Sequence, residues 1–278
     1  MAKASPCVIT LTTDFGTQDG NVGVMKGVIL GLNPKASIVD LTHEVPPQDI
    51  ADAAYVLRRA YRYFPHGTIH VVVVDPGVGS ERRAIAVEAS HSFLVAPDNG
   101  VLTYVLQELQ DDGHEIRIVS LTNTAYWLPQ VSNVFHGRDI FSPVAAHLSL
   151  GADIGALGQE IHDPITLPPA RLELLPGHII GQVAHIDHFG NLLTNIPASQ
   201  VLSLGDSMTT RVAETEIRGL SKTFSQSKPR ELIAYIDSSG HLAIASVNAT
   251  AQELLNSHVG QSVEVTADRA ISTHREAS

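Results

Sequence analysis

Ile69-His70-Val71-Val72-Val73-Val74, followed at once by Asp75-Pro76-Gly77-Val78-Gly79-Ser80-Glu81-Arg82-Arg83, decides how the chain is read. An apolar run of this length with no polar alternation is the mark of a central strand covered on both faces. The polar, glycine-bearing stretch behind it is a loop leaving the strand's carboxyl end. Outward from this strand the same grammar repeats. Val8 to Leu11 and Ser37 to Leu41 are short strand candidates, and Ile85 to Val87 and Phe93 to Val95 are two more. Between them lie helical patterns. Ile50, Ala53, Ala54, Leu57, Ala60, Tyr61 and Phe64 recur at 3.6-residue spacing, Val101 to Leu109 forms a second helix, and Val24, Val28 and Leu32 are expected to mark the inner face of a third. Strands alternating with helices imply an α/β domain with a largely parallel sheet.

The pattern changes near residue 160. Pro164, Pro168, Pro169 and Pro176-Gly177 punctuate a linker over 164–177. Beyond it come strand candidates at Ile179–Ile186, Leu192–Ile196, Thr209–Val212, Leu232–Ile236, Leu242–Ala245 and Ser262–Val265, with one helical stretch at Ala249–Leu255. The expected organisation is therefore an N-terminal α/β domain over 1–163, the linker, and a smaller antiparallel β-barrel domain over 178–278.

Composition narrows the function classes. Of 278 residues, 44% are hydrophobic and 17% charged, an ordinary globular balance. A net charge of −11 argues against non-specific nucleic-acid binding, which needs Lys and Arg to neutralise phosphates. No apolar run reaches the ~18–20 residues that span a bilayer. The opening Met1-Ala2-Lys3-Ala4-Ser5-Pro6 lacks a signal-peptide pattern, and Cys7 is the single cysteine, so the expected setting is the cytoplasm.

Three loops carry polar residues that packing does not demand. Thr12 to Asp19 holds two carboxylates, Asp14 and Asp19, which suit ribose hydroxyls or, on the plainer reading, a helix cap. In the Asp75–Arg83 loop, Asp75 and Arg82 can reach each other, as a site or as a simple ion pair; the phosphate-binding GxxxxGK[ST] pattern is absent. Phe135-His136-Gly137-Arg138-Asp139 precedes a helix with Val144 and Leu148, and Asp139 there reads as its cap. No HExxH and no tight His/Asp cluster at ligand spacing suggests a metal centre, and no cofactor is called for.

Taken together, TTDFGTQD, HEVPPQDI, VVVVDPGVGSERR, APDNG, FHGRD, HIDHFGNLLTNI and SSGHLAIASVN, in this order, resemble the S-adenosylmethionine hydroxide adenosyltransferase family, which includes fluorinase and chlorinase relatives. The resemblance spans roughly residues 7 to 266. It implies hydrolysis of S-adenosylmethionine to adenosine and methionine, in a homotrimer whose sites lie between subunits. By the same likeness Asp75, Arg82 and His136 match the water-handling set, and Asp14 a ribose carboxylate with Asp19 nearby. Gln48 and Phe135 match pocket walls, and Asp187 and Ser238 the amino-acid end. Phe189 and Asn191 match an adenine-facing segment, and Val247 and Asn248 the adenine edge, although halogenases carry an Arg where Ser246 stands.

Halogenases resemble this chain with Tyr at the positions of Asp75 and His136, and fluorinase carries Ser at the position of Gly137. A carboxylate ~4 Å from a bound halide would cost roughly 4 kcal/mol at an effective dielectric of ~20. That is about a thousandfold in occupancy, so Asp75 points to water as the nucleophile. An Arg beside Asp75 would favour its ionised form and weaken it as a lone base. The expectation is a shared network in which Asp75 and His136 orient the water and accept its proton. A non-catalytic sensor of the same ligand, a metal-dependent hydrolase and a methyl-transfer enzyme are the competing classes.

Overall fold

The run at Ile69 forms the expected central strand, and its side chains alternate between two separate cores. Ile69, Val71 and Val73 point into one, Val72 and Val74 into the other, as the two-residue period of a strand requires. The structure is a computed structural model that describes residues 7–90, 92–205 and 207–268. It contains two compact units, one ending at Leu167 and the other beginning at Pro168.

The first unit runs β1 (Val8–Thr13), α1 (Asn21–Leu32), β2 (Ser37–Thr42), α2 (Ile50–Ala60), β3 (Ile69–Val73), β4 (Ala84–Ala89), β5 (Ser92–Pro97), α3 (Thr103–Asp111), β6 (Ile116–Ser120), α4 (Ser142–Ser149) and β7 (Gln159–Glu160). The sheet order is β2-β1-β3-β5-β4-β6-β7. The first four strands are parallel; β4, β6 and β7 extend the sheet antiparallel. The turn from β4 to β5 is too short for a crossover, so that pair can only be antiparallel. Helices α1 and α4 pack together over one core and α2 and α3 over the other.

Strand order creates the crevice. From β1 the chain passes through α1 to β2 on one side, then returns through α2 to β3 on the other. The carboxyl ends of β1 and β3 therefore flank a topological switch point, where ligands enter open α/β sheets.

Two local expectations are corrected. The buried face of α1 is Val22, Met25 and Ile29, whereas Val24 is 45% exposed and Leu32 also faces outward. Apolar residues and glycines surround this helix on all sides, so periodicity cannot choose a face; packing against α4 does. Asp139 is not a helix cap. It lies inside a π-helical turn, Gly137–Phe141, and is fully buried, while α4 begins with Pro143 in its first turn. Strand β6 and the π turn were not read from the sequence.

The second unit contains β8 (Glu173–Leu175), β9 (His178–Ile186), β10 (Leu192–Pro197), α5 (Ala198–Ser203), β11 (Met208–Val212), β12 (Thr215–Arg218), β13 (Leu232–Ile236), β14 (His241–Ser246), α6 (Ala251–Leu255) and β15 (Ser262–Ala267). Every strand pair is antiparallel, in the order β12-β11-β15-β9-β10-β14-β13, with β8 on β9. The end strands β12 and β13 approach each other, and Ser221 N–H donates to the Ala234 carbonyl at 2.8 Å, giving a nearly closed barrel around Val183, Leu192, Ile244 and Val263. The expected α/β and barrel architectures are both present. The sequence pattern predicts neither β12 nor α5.

Candidate active site

At the carboxyl end of β3, Asp75 and Arg82 meet across the loop as a bidentate pair. Arg82 Nε donates to both carboxylate oxygens at 2.9 and 3.0 Å, and Nη2 donates to Oδ2. Both side chains are buried, and the guanidinium lies 5.4 Å from the centre of the Phe141 ring. The same Nη2 donates to His136 Nδ1 at 2.7 Å. A guanidinium has only donors, so Nδ1 must be unprotonated and the ring's single proton sits on Nε2. Burial, and then the charge of Arg82, hold His136 below its ordinary value of 6.5, which keeps this tautomer neutral near pH 7. His136 thus presents an N–H donor, and it cannot be the acceptor of a water proton while Arg82 holds Nδ1. This corrects the expected sharing of base duty. The spare lone pair of Asp75 Oδ1 is the acceptor that remains.

What brings these residues together is a backbone lock. Gly79 has φ +77°, and a Cβ there would lie 2.1 Å from the Asn133 carbonyl oxygen. Only glycine lets the β3 loop rest against the loop before His136. Buried Asp139 completes the lock, accepting Ser132 N–H at 2.8 Å and Arg138 Nε at 2.6 Å. Behind the loop, Asn99 donates to the Val74 carbonyl at 2.9 Å, and buried Asp98 pairs with Arg83. The APDNG segment therefore serves the scaffold.

Asp75 and His136 line a cavity of about 340 Å³, walled by Asp14, Phe15, Gln48, Val73 and Phe135 among others. Phe15 and Phe135 meet edge to face, 5.8 Å between centroids. Asp14 Oδ2 accepts the backbone N–H of Gln48 at 2.8 Å; Gln48 itself has φ +66°. Asp19 lies instead on an adjoining groove of about 360 Å³ that shares Asp14 and Phe15. Of the first-unit residues predicted from sequence, the fold gathers Asp14, Gln48, Asp75, Phe135 and His136 on one cavity, with Arg82 behind it. Val73, at the end of β3, and Val78 and Val134, in loops, also form its wall and were missed, because an apolar side chain carries no chemical signature.

In the second unit, Asp187 is committed to its own turn. Its Oδ1 accepts the N–H groups of Phe189 and Asn191, each at 2.9 Å, and Oδ2 accepts Asn191 Nδ2 at 2.8 Å. Phe189 is 72% exposed at the tip. Ser238 is exposed on the β13–β14 turn. Val247 and Asn248 follow β14, with Asn248 at φ +54° and the Val247 carbonyl accepting Arg230 N–H at 2.7 Å. Ser246 Oγ is buried without a partner. Among the described residues, no group of three or more His, Cys, Asp or Glu could hold a metal ion, and no helix is long and apolar enough to cross a membrane.

Residues 9–158 match the family described as the SAM hydroxide adenosyltransferase N-terminal domain, and residues 181–264 match its C-terminal domain. The chain belongs to the SAM hydroxide adenosyltransferase family. It is 40% identical to the (R)-S-adenosyl-L-methionine hydrolase of Salinispora tropica over 93% of this chain and 97% of that one, and 36% identical to the enzyme of the same name from Methanocaldococcus jannaschii over 93% and 95%. A fluorinase from Nocardia brasiliensis is more distant, at 28% over 93% and 96%. A solved structure of an uncharacterised conserved protein from Thermotoga maritima superposes with a TM-score of 0.87 at 38% identity, covering 93% of this chain and 99% of that one.

Within this family the nucleophile question turns on the Asp75 pair, and the geometry changes the argument. Because Arg82 neutralises Asp75 at contact distance, the roughly 4 kcal/mol penalty for a halide applies to a bare carboxylate and is an upper bound here. Hydrogen-bond capacity discriminates better. A halide only accepts, and the free Oδ1 lone pair offers it nothing, whereas a water can donate to Oδ1. Gly137 adds a steric point: a Cβ there would lie 3.2 Å from Met25 Sδ and 3.3 Å from Phe135, leaving little room for a serine.

Proposed function

We propose that the chain hydrolyses S-adenosyl-L-methionine to adenosine and L-methionine by in-line attack of water on ribose C5′. The observation that carries this reading is the buried Asp75–Arg82–His136 network, of which Asp75 and His136 line a cavity of about 340 Å³. A water donating to Asp75 Oδ1 and receiving the Nε2–H of His136 has a lone pair left to aim. As the O–C5′ bond forms, the C5′–S bond breaks and its electrons return to sulfur, so methionine leaves neutral and needs no general acid. The sulfonium already activates C5′, and the task left to the protein is orientation in a dry site. The water proton passes to Asp75 as the attacking oxygen becomes positive.

The remaining assignments are proposals of the same reading. Asp14, with Asp19 close by, holds the ribose, and Gln48 and Phe135 wall the pocket. Asp187 and Ser238 hold the amino-acid end. Phe189, Asn191, Val247 and Asn248 meet the adenine. The chain works as a cytoplasmic homotrimer in which segment 1–163 of one subunit supplies the water-handling residues and segment 178–278 of a neighbour, beyond the 164–177 linker, supplies the adenine and methionine contacts. Large apolar side chains left in the open favour such an assembly: Val134, on the cavity wall, is 78% exposed, and burying it would be worth about 1.5–3 kcal/mol. Light scattering at three times the chain mass is the expected result.

The test of the chemistry is incubation with S-adenosylmethionine in oxygen-18 water containing chloride. Label in the 5′-hydroxyl of adenosine is expected. Formation of 5′-chloro-5′-deoxyadenosine would assign a halogenase, and substrate bound but unchanged would assign a sensor.

A further inference from the structure

The loop that carries Asp14 is gripped by a residue the reaction does not use. Thr13, the last residue of β1, is fully buried, and its Oγ1 lies 2.9 Å from His43 Nδ1. His43 Nε2 in turn lies 3.0 Å from Asp40 Oδ1, and Lys26 Nζ donates to Asp40 Oδ2 at 2.5 Å. Burial pushes the Asp40 carboxyl up, but the hydrogen bonds from Lys26 and His43 outweigh it and hold the group below its ordinary value, so Asp40 is an anion. That fixes the direction of the whole chain. With the anionic Asp40 3.0 Å from Nε2, charge favours the ring proton on that nitrogen although the contact is not aligned as a hydrogen bond; Nδ1 is then the acceptor, and Thr13 O–H donates to it. The Thr13 oxygen is left as an acceptor, and the Phe15 N–H donates to it at 3.2 Å.

This last bond matters because the Phe15 N–H belongs to the peptide that follows Asp14. Fixing that peptide plane fixes the ψ angle of Asp14, and so the direction in which its carboxylate leaves the backbone. His43 grips the loop a second time, its carbonyl accepting Gly16 N–H at 2.8 Å. The geometry points to His43 as a positioning residue that, through Thr13 and with Asp40 behind it, aims Asp14 at the ribose hydroxyls. His43 does not line the cavity that holds Asp75 and His136, but it lies on the wall of the adjoining groove beside Asp14 and Asp19. Its effect is therefore on ribose recognition and not on the water.

The inference rests on the reading of Asp14 as the ribose carboxylate, and the experiment separates the two. Binding of adenosine and of 2′,3′-dideoxyadenosine is measured by calorimetry on the full chain. Asp14→Ala is expected to weaken adenosine about tenfold or more and to leave dideoxyadenosine within twofold. Thr13→Val, which is nearly isosteric, and His43→Ala are expected to reproduce that selective loss. His43→Asn, which keeps an acceptor near the Nδ1 position, is expected to lose less than threefold. Equal weakening of both ligands in Thr13→Val, or no weakening, would overturn the positioning role while leaving Asp14 intact. If Asp14→Ala itself kept full preference for adenosine, the ribose assignment and this inference would both fall.

Discussion

The two places where polar residues gather, the β3 loop of the first unit and the β9–β10 turn of the second, satisfy their carboxylates in opposite ways. Asp75 meets Arg82 seven positions on, and Arg82 meets His136 across 54 positions, all partly or wholly shielded from water. The Asp187 carboxylate meets Phe189 and Asn191, two and four positions on, in a turn with an exposed tip. The first arrangement exists only when distant segments are brought together, and it leaves one acceptor unspent. The second is a local turn motif that any short peptide can sample. A buried, long-range carboxylate is costly to maintain without its partner, whereas a local one at the surface is an inexpensive framework for a loop.

That contrast can be broken by removing the partners. Arg82→Met should cost about 3–5 kcal/mol of stability by urea denaturation, because Asp75 is left buried and unpaired. Adding Asp75→Asn should recover much of it while turnover stays lost. A loss below about 1 kcal/mol would mean that the pair is as solvated as a surface bridge.

Acid should single out the first unit through another buried group. His70, on β3, has its ring 1% exposed among Tyr61 and Phe64, and burial pushes it down to about 4. The folded chain keeps it neutral while the unfolded chain takes a proton below 6.5. The stability present above pH 6.5 is therefore lost as the pH falls toward 4, by on the order of 3 kcal/mol. His70→Asn should flatten this part of the pH–stability curve; an unchanged curve would assign the loss to other groups.

A smaller effect is expected at the backbone lock. Gly79→Ala places a methyl against the Asn133 carbonyl at a positive φ and should cost about 1–3 kcal/mol, with turnover falling further than stability because Arg82 and His136 move apart. Smallest of all should be Asp187→Ala, about 1–2 kcal/mol from the lost turn bonds, with KM rising more than kcat falls. An equal fall in kcat would place Asp187 nearer the reacting atoms than its local role implies.

Much of this was legible in one dimension. The apolar run at Ile69, the amphipathic α2 and the alternating strands after residue 178 announced their elements, because burial on two faces, one face or alternate positions leaves a period. Asp14, Asp75 and His136 stood out because carboxylates and imidazoles beside strand ends are not needed for packing, whereas Asp187 was reached only through the family resemblance. The face of α1 was not legible, since Val24 and Met25 are equally apolar and only α4 decides between them. The π turn was hidden for a similar reason: Asp139 looks like a cap until Ser132 and Arg138 are seen to hold it in the interior.

The sequence by itself determined which groups are available: a strand end bearing a carboxylate, an arginine seven residues on, and a histidine in a distant motif. Only the tertiary structure decided their roles. By setting Arg82 Nη2 against both Asp75 and His136 Nδ1, it made the histidine a donor and left Asp75 as the acceptor. Hydrogen-bond direction depends on distances between residues far apart in the chain, and no spacing along the sequence encodes those.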